Sequence, residues 1–147
     1  MKKGTLAVLA LLFTITLNAQ NKKITGIWWN EEKTSRVEVY EENGKIYGKV
    51  VWLSNDTNPN GTSPRTDYLN PDGKLKTRKL IGVRILKNLT WDADDEEWTD
   101  GEIYDPKSGK TYSCYAELQK DGKLFLKGYV LGMTFLGKST LWTRHSN

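Results

Sequence analysis

The sequence contains very few of the residues on which disulfides, metal centres and histidine chemistry depend. Its 147 residues include one cysteine and one histidine. Cys114 has no partner within the chain for a disulfide, and its place on an apolar strand face predicts a buried small hydrophobe. His145 lies near the C-terminus, where a positioned catalytic pair is not expected. Zinc-type sites need clustered histidine or cysteine, so we predict no cofactor and no transition metal.

Long apolar runs are also absent, except at the N-terminus. Two lysines precede an uncharged apolar stretch over residues 6–17, and Asn18-Ala19-Gln20 follows. This order is typical of a secretory signal peptide, with cleavage after Ala19. The stretch is too short to span a bilayer, and no second one follows. We therefore expect no transmembrane segment, removal of residues 1–19, and a single soluble domain over residues 20–147 that is periplasmic or secreted.

A strong excess of one charge is missing as well. The chain has 22 basic and 18 acidic residues. Without the lysines of the signal peptide, two fewer, the ratio becomes 20 to 18. Nucleic-acid binding needs a much more basic surface, so we expect no nucleic-acid partner.

Short alternating segments separated by turn residues make up most of the remaining chain. Tyr112, Cys114 and Ala116 share one strand face by period two, after the turn Asp105-Pro106-Lys107-Ser108-Gly109. The pattern recurs and predicts eight strands: residues 24–29, 35–41, 45–53, 81–86, two runs flanking the turn 105–109, 123–130 and 135–144. The predicted fold is all-β, an eight-stranded antiparallel up-and-down barrel, because closure removes exposed strand edges.

One long polar connection, residues 54–79, interrupts this pattern. It contains the turn sequences Asn58-Pro59-Asn60-Gly61 and Asn70-Pro71-Asp72-Gly73. Asn70 is predicted to cap one helical turn over residues 71–75. A connection this long in a small domain is usually functional or mobile, so it is a candidate lid.

Part of the long connection has the spacing of a calcium-binding loop. Asp56, Asn58 and Asn60 alternate, and Asp67 stands at the twelfth position. Against this interpretation, only two of the four are carboxylates, prolines interrupt the loop, and no helices flank it. A polar turn rich in asparagine and glycine is the simpler interpretation, and we predict no metal site.

Two aromatic motifs at opposite ends of the barrel sequence resemble the lipocalin-like (calycin) pattern. They are Gly26-x-Trp28 on the first strand and Trp142-x-Arg144 on the last. In that pattern the first-strand tryptophan packs under an arginine from the closing strand. A cation stacked on an indole is favourable, and here it would close one end of the barrel.

The chain also resembles the bacterial domain-of-unknown-function 2147 family over nearly all of its length after the signal peptide. That family comprises small exported proteins with a lipocalin-like barrel topology and no established activity, so the resemblance implies a fold and a compartment but no chemistry. The following residues carry it: Gly48-Lys49-Val50-Val51-Trp52, Asp67, Asn70-Pro71-Asp72, Leu75, Arg78, Leu80-Ile81-Gly82, Gly101, Ile103-Tyr104-Asp105-Pro106, Gly109-Lys110, Tyr112, Leu124, Gly128-Tyr129, Gly137, Trp142 and Arg144.

Aromatic residues supply the remaining functional signal. Six tryptophans and seven tyrosines suit both a packed core and a ligand pocket. We expect Arg78 to pair with a nearby carboxylate and hold the long connection in place. The predicted ligand-binding residues are Asp67, Asn70, Arg78, Tyr104, Asp105, Tyr112, Tyr129 and Trp142.

Three functions are compatible with this sequence. The first is a non-enzymatic barrel that binds a small, amphipathic or lipid-like molecule. The second is an envelope interaction or stress-response protein with a filled barrel, whose loops bind a protein or glycan. The third is a hydrolase that uses carboxylates among Asp67, Asp72, Glu102 and Asp105. An interior cavity would favour the first over the second.

Overall fold

Eight antiparallel strands close into an up-and-down barrel in chain order, as the sequence predicts. The structure, a computed structural model, describes residues 19–131 and 133–146, without the side chains of residues 134–136. The predicted signal peptide therefore lies outside the described residues, apart from Ala19. The strands are β1 (Gly26–Trp29), β2 (Ser35–Glu42), β3 (Lys45–Leu53), β4 (Arg84–Asp92), β5 (Glu97–Asp105), β6 (Lys110–Leu118), β7 (Leu124–Val130) and β8 (Met133–Arg144).

The two ends of the barrel differ because consecutive strands alternate in direction. The β2–β3, β4–β5 and β6–β7 turns lie at one end, and the other four connections lie at the opposite end. Closure uses only two residue pairs between β1 and β8, Trp28 with Arg144 and Trp29 with Thr143. Beyond Trp29 the chain leaves the sheet, so the wall between β1 and β8 is short.

The strand boundaries differ from the prediction most at β4, and by one or two residues at β1, β2, β7 and β8. The prediction for residues 81–86 was wrong in position, since β4 runs from Arg84 to Asp92. Asn88 adopts a left-handed conformation with φ of 61°, which lets both Leu86 and Leu89 face inward and hides the strand from a period-two pattern. The first strand starts at Gly26 rather than residue 24, because residues 19–24 are helical.

The helical residues 19–24, called here the N-terminal plug, cover the barrel end that carries the β2–β3, β4–β5 and β6–β7 turns. Asn21 and Ile24 are fully buried, and Asn21 Oδ1 accepts a hydrogen bond of 3.0 Å from Trp98 Nε1. Its amide Nδ2 donates to the Gly44 carbonyl in the β2–β3 turn. No helix among the described residues is long and apolar enough to cross a membrane.

The core is concentrated in the half of the barrel beneath the N-terminal plug. The buried side chains that pack together there include Trp28, Trp98, Ile46, Leu89 and Leu124. Cys114 is also buried, and burial raises the pKa of its thiol to about 12. The other half is packed less completely.

Candidate functional site

A cavity of about 730 Å³ occupies the half of the barrel away from the N-terminal plug. Its wall is mainly apolar and includes Val37, Val50, Leu126 and Trp142. Its mouth is formed by residues of the β1–β2, β3–β4 and β5–β6 connections. Pockets for drug-sized molecules span roughly 300–1,000 Å³, so this space suits one small ligand.

Glycines on β7 and β8 help to leave this space empty. Gly128 and Gly137 both line the cavity. A Cβ atom at Gly137 would lie 2.2 Å from the Gly128 carbonyl oxygen, so the two strands approach too closely for a side chain. Glycine at position 137 therefore permits the close approach of β7 and β8 beside the cavity.

Asp67, which is 1 % exposed, is the centre of a polar cluster behind the cavity wall. Its Oδ2 accepts hydrogen bonds from Asn70 Nδ2 at 2.8 Å and from Arg78 Nε and Nη2 at 3.0 and 2.8 Å. Its Oδ1 accepts a 2.5 Å bond from the hydroxyl of Tyr104 on β5. These bonds connect the long β3–β4 connection to the barrel.

Tyr104 is the member of this cluster that also lines the cavity. Burial, followed by the hydrogen bond to Asp67, raises the pKa of Tyr104 to about 12. The phenol therefore stays neutral and remains a hydrogen-bond donor at ordinary pH.

The long connection also packs on the β5–β6 turn through a backbone contact. Gly109 has φ of 72°, and a Cβ atom there would lie 2.1 Å from the Leu69 carbonyl oxygen. Only glycine fits this position, because it tolerates the left-handed backbone and leaves room for Leu69. The connection is thus held at two places, Tyr104 and Gly109.

An ion pair crosses the mouth of the cavity. Glu32 in the β1–β2 connection accepts a 2.6 Å bond from Lys107 in the β5–β6 turn. These connections begin on opposite sides of the barrel, since two strands separate them in each direction. The hydrogen bond from Lys107, and then its charge, lower the pKa of Glu32.

Arg65 also lines the cavity, although no sequence motif marks it. It lies in a part of the long connection with few motif residues, and a lone arginine in a polar segment is normally solvated. Its side chain makes no hydrogen bond or ion pair with any residue that the structure describes, and its Nε is buried.

The barrel end under the N-terminal plug is closed by Trp28 and Arg144. The Arg144 guanidinium lies 4.2 Å over the Trp28 ring and donates to the carbonyls of Thr25 and Lys23 at 2.8 and 2.7 Å. A Cβ atom at Gly26 would lie 2.7 Å from Arg144 Nη1. The glycine of the Gly-x-Trp motif therefore leaves room for the guanidinium of Arg144.

The predicted ligand-binding residues fall into three groups. Tyr104, Asp105, Tyr112 and Trp142 line the cavity. Asp67, Asn70 and Arg78 form the cluster behind Tyr104. Tyr129 does not line the cavity: Leu126 and Gly128 face inward on β7, so Tyr129 faces outward, where its ring lies 6.2 Å from that of Tyr115.

The oxygens of the candidate calcium loop accept hydrogen bonds within the protein. Asp56 Oδ1 accepts from the Arg65 amide, Asn58 Oδ1 from the Thr66 amide, and Asn60 Oδ1 from Thr62. Across the described part of the chain, no three acidic, histidine or cysteine side chains cluster as a metal site would require.

The predicted helical turn is present as a short 3₁₀ helix, Gly73–Leu75, but its cap was misassigned. Asp72 is the N-cap, and its side chain accepts from the Lys74 amide. Asn70 instead accepts from the Asp72 amide, as in an Asx turn.

Comparison with known proteins gives one family and one solved structure. A family model described as "Uncharacterized protein conserved in bacteria (DUF2147)" matches residues 26–144. The chain is also similar to a structure titled "Protein HP1028 from the human pathogen Helicobacter pylori belongs to the lipocalin family". The TM-score is 0.70 at 28% identity, over 84% of each chain. No curated protein matches.

Proposed function

The chain belongs to the family of uncharacterized bacterial proteins DUF2147, and we propose that it binds one small, mainly apolar molecule inside its barrel. The observation that carries this proposal is the cavity of about 730 Å³. Its wall is apolar, its mouth has polar groups, and it lies in a fold shared with a lipocalin-family protein.

We further propose that the protein is exported. The basic and apolar residues of the N-terminus support this, and cleavage after Ala19 leaves Asn21 and Ile24 in place to cover the barrel end. A mature N-terminus beginning at Gln20, read by mass spectrometry of protein isolated from its host, is the expected result.

The two alternative functions have less support. A solidly filled barrel that acts only through its loops does not account for the cavity. A carboxylate hydrolase needs a free acid near substrate, whereas Asp67 is held by Tyr104 and Arg78. Asp105 Oδ1 likewise accepts from the Lys107 amide in its turn.

A neutral dye, N-phenyl-1-naphthylamine, tests the proposal. We expect saturable fluorescence enhancement with one dye bound per chain. Thr140 on β8, which pairs with Leu126 of β7 and lines the cavity, offers a blocking position. Thr140→Trp should weaken dye binding about tenfold or more, because the indole fills space that the dye would occupy.

Ser113→Trp is the matched control, since Ser113 pairs with the outward-facing Tyr129. It adds a similar volume to the outer surface and should leave dye binding unchanged. Equal binding to wild type and Thr140→Trp would contradict an interior site.

A further inference from the structure

The main chain of Arg65 is firmly held at the mouth of the cavity. Its amide donates to both the carbonyl oxygen and the side-chain Oδ1 of Asp56, each at 3.0 Å. Its carbonyl accepts from the amide of Leu80, a buried cavity residue, at 2.9 Å. The residue therefore has a fixed place from which its side chain extends.

The Arg65 side chain is left without acceptors. It is half-buried, and its Nε is shielded from solvent with no hydrogen-bond partner among the described residues. A guanidinium has five N–H donors and loses free energy when it is moved out of water without compensation. A hydrogen-bond acceptor on a bound ligand would offset that loss.

Arg36 provides an internal comparison, because its Nε is also buried and unpaired. Its guanidinium lies between the rings of Trp29 and Trp52, at 4.9 and 4.7 Å, and its Nη1 is 3.2 Å from His145 Nε2. Arg36 is thus compensated by protein groups and does not line the cavity. Arg65 has no such aromatic contact among the described residues.

None of the described acids near the mouth forms an ion pair with the Arg65 side chain, and the adjacent Asp56 carboxylate accepts from the Arg65 backbone amide instead. Glu32 is paired with Lys107, and Asp105 accepts from Lys107 and Ser108 within its own turn. Glu31 lines the mouth but makes no ion pair with a described residue. The partner of Arg65 is therefore not a carboxylate of the described chain.

We propose that Arg65 binds the anionic head of an amphipathic ligand, a carboxylate or phosphate on an apolar tail that occupies the barrel. This inference rests on the proposed function, since the tail needs the cavity. Guanidinium groups match both anions through paired, charge-assisted hydrogen bonds. Leu80, Val50 and Trp142 line the same cavity and offer apolar contacts for the tail.

Three ligands with the same tail test this proposal: dodecanoate and dodecyl phosphate, each below its critical micelle concentration, and dodecanol below its solubility limit, all at neutral pH. Calorimetry or displacement of N-phenyl-1-naphthylamine gives the affinities. We expect wild type to bind at least one anion about tenfold more tightly than the alcohol, as charge-assisted hydrogen bonds allow. The tighter anion identifies the head group.

Arg65→Met should abolish this preference by weakening anion binding much more than dodecanol binding, and Arg65→Lys should retain part of it. Arg84→Met is the matched control, since Arg84 pairs with Glu42 and does not line the cavity. Arg65→Gln replaces Arg65→Met if the latter does not fold, judged by near-ultraviolet circular dichroism.

Two results would contradict the role of Arg65 without contradicting the proposed function. One is that wild type binds the anions no more tightly than dodecanol, and the other is that the preference for anions survives in Arg65→Met. In both, binding of dodecanol would leave the proposed function standing. If none of the three ligands, nor the dye, binds wild type, the proposed function fails as well.

Discussion

The carboxylate of Asp67 is withdrawn from water and depends on three side chains for its hydrogen bonds. Arg78 supplies two of those bonds from the far end of the long connection, and Tyr104 supplies one from the barrel. Buried carboxylates are stable only when they are paired or well hydrogen-bonded. At the scale of single residues, this cluster determines how the connection is attached.

Arg78→Ala should therefore destabilise the protein. It removes two donors from a fully buried carboxylate, but the Arg78 side chain is 38% exposed, so solvent screening reduces the loss. We expect a decrease of about 1–2 kcal/mol in the free energy of unfolding, or about 3–10 °C in Tm by calorimetry.

Lys76→Ala is the control for Arg78→Ala, since Lys76 is an exposed cation in the same connection whose side chain donates no hydrogen bond to a described residue. Its Tm should match wild type. An Arg78→Ala variant as stable as Lys76→Ala would mean that the ion pair does not hold the connection in place.

Part of this site was predictable from the sequence, because some of its side chains follow strand alternation or charge pairing. Tyr112 alternates with Cys114 and therefore faces inward, and Arg78 needed a carboxylate close by. Arg65 escaped notice because its importance comes from a missing partner, which no sequence pattern records. Tyr129 was selected for its residue type, although its position next to Gly128 sends it outward.

Among the elements, the connections at the mouth carry the features that sequence could least predict. The Glu32–Lys107 pair joins residues far apart in the chain, and only the closed barrel brings their connections together. The predicted position of strand β4 was wrong because the left-handed Asn88 interrupts the alternation on which strand prediction relies. The regular hairpins, by contrast, follow their turn sequences.

The ion pair across the mouth should slow ligand release in a pH-dependent way. Because Lys107 lowers the pKa of Glu32 below its ordinary 4.5, the pair is fully present above that pH and is lost as pH falls through the lowered pKa. Stopped-flow release of N-phenyl-1-naphthylamine should accelerate about twofold to fivefold once the pH falls below that lowered pKa, and Glu32→Gln should be equally fast at neutral pH.

Glu31→Gln is the matched control, since Glu31 lies at the same mouth without an ion pair to a described residue. It should release the dye as wild type does. Release from Glu32→Gln at the wild-type rate at neutral pH would show that the pair does not restrain the mouth.

For the whole molecule, the two halves of the barrel have different tasks. Tryptophans, the N-terminal plug and Arg144 fill and cap one half, which supplies the packed core. The other half keeps a cavity with a mainly apolar wall, lined in part by the long β3–β4 connection. The barrel itself was predictable from eight alternating segments, whereas its hollowness was not, because it depends on how side chains from all strands meet.

Chemical-shift mapping of the isotope-labelled protein with dodecanol tests the central claim, a hollow barrel with an interior binding site, most directly. The account predicts saturable changes at one equivalent, concentrated at the inward-facing residues Val37, Val50, Leu126 and Trp142. Changes confined to the outer face, at Tyr115, Phe125 and Tyr129, or no changes at any concentration up to the solubility limit of dodecanol, would contradict it.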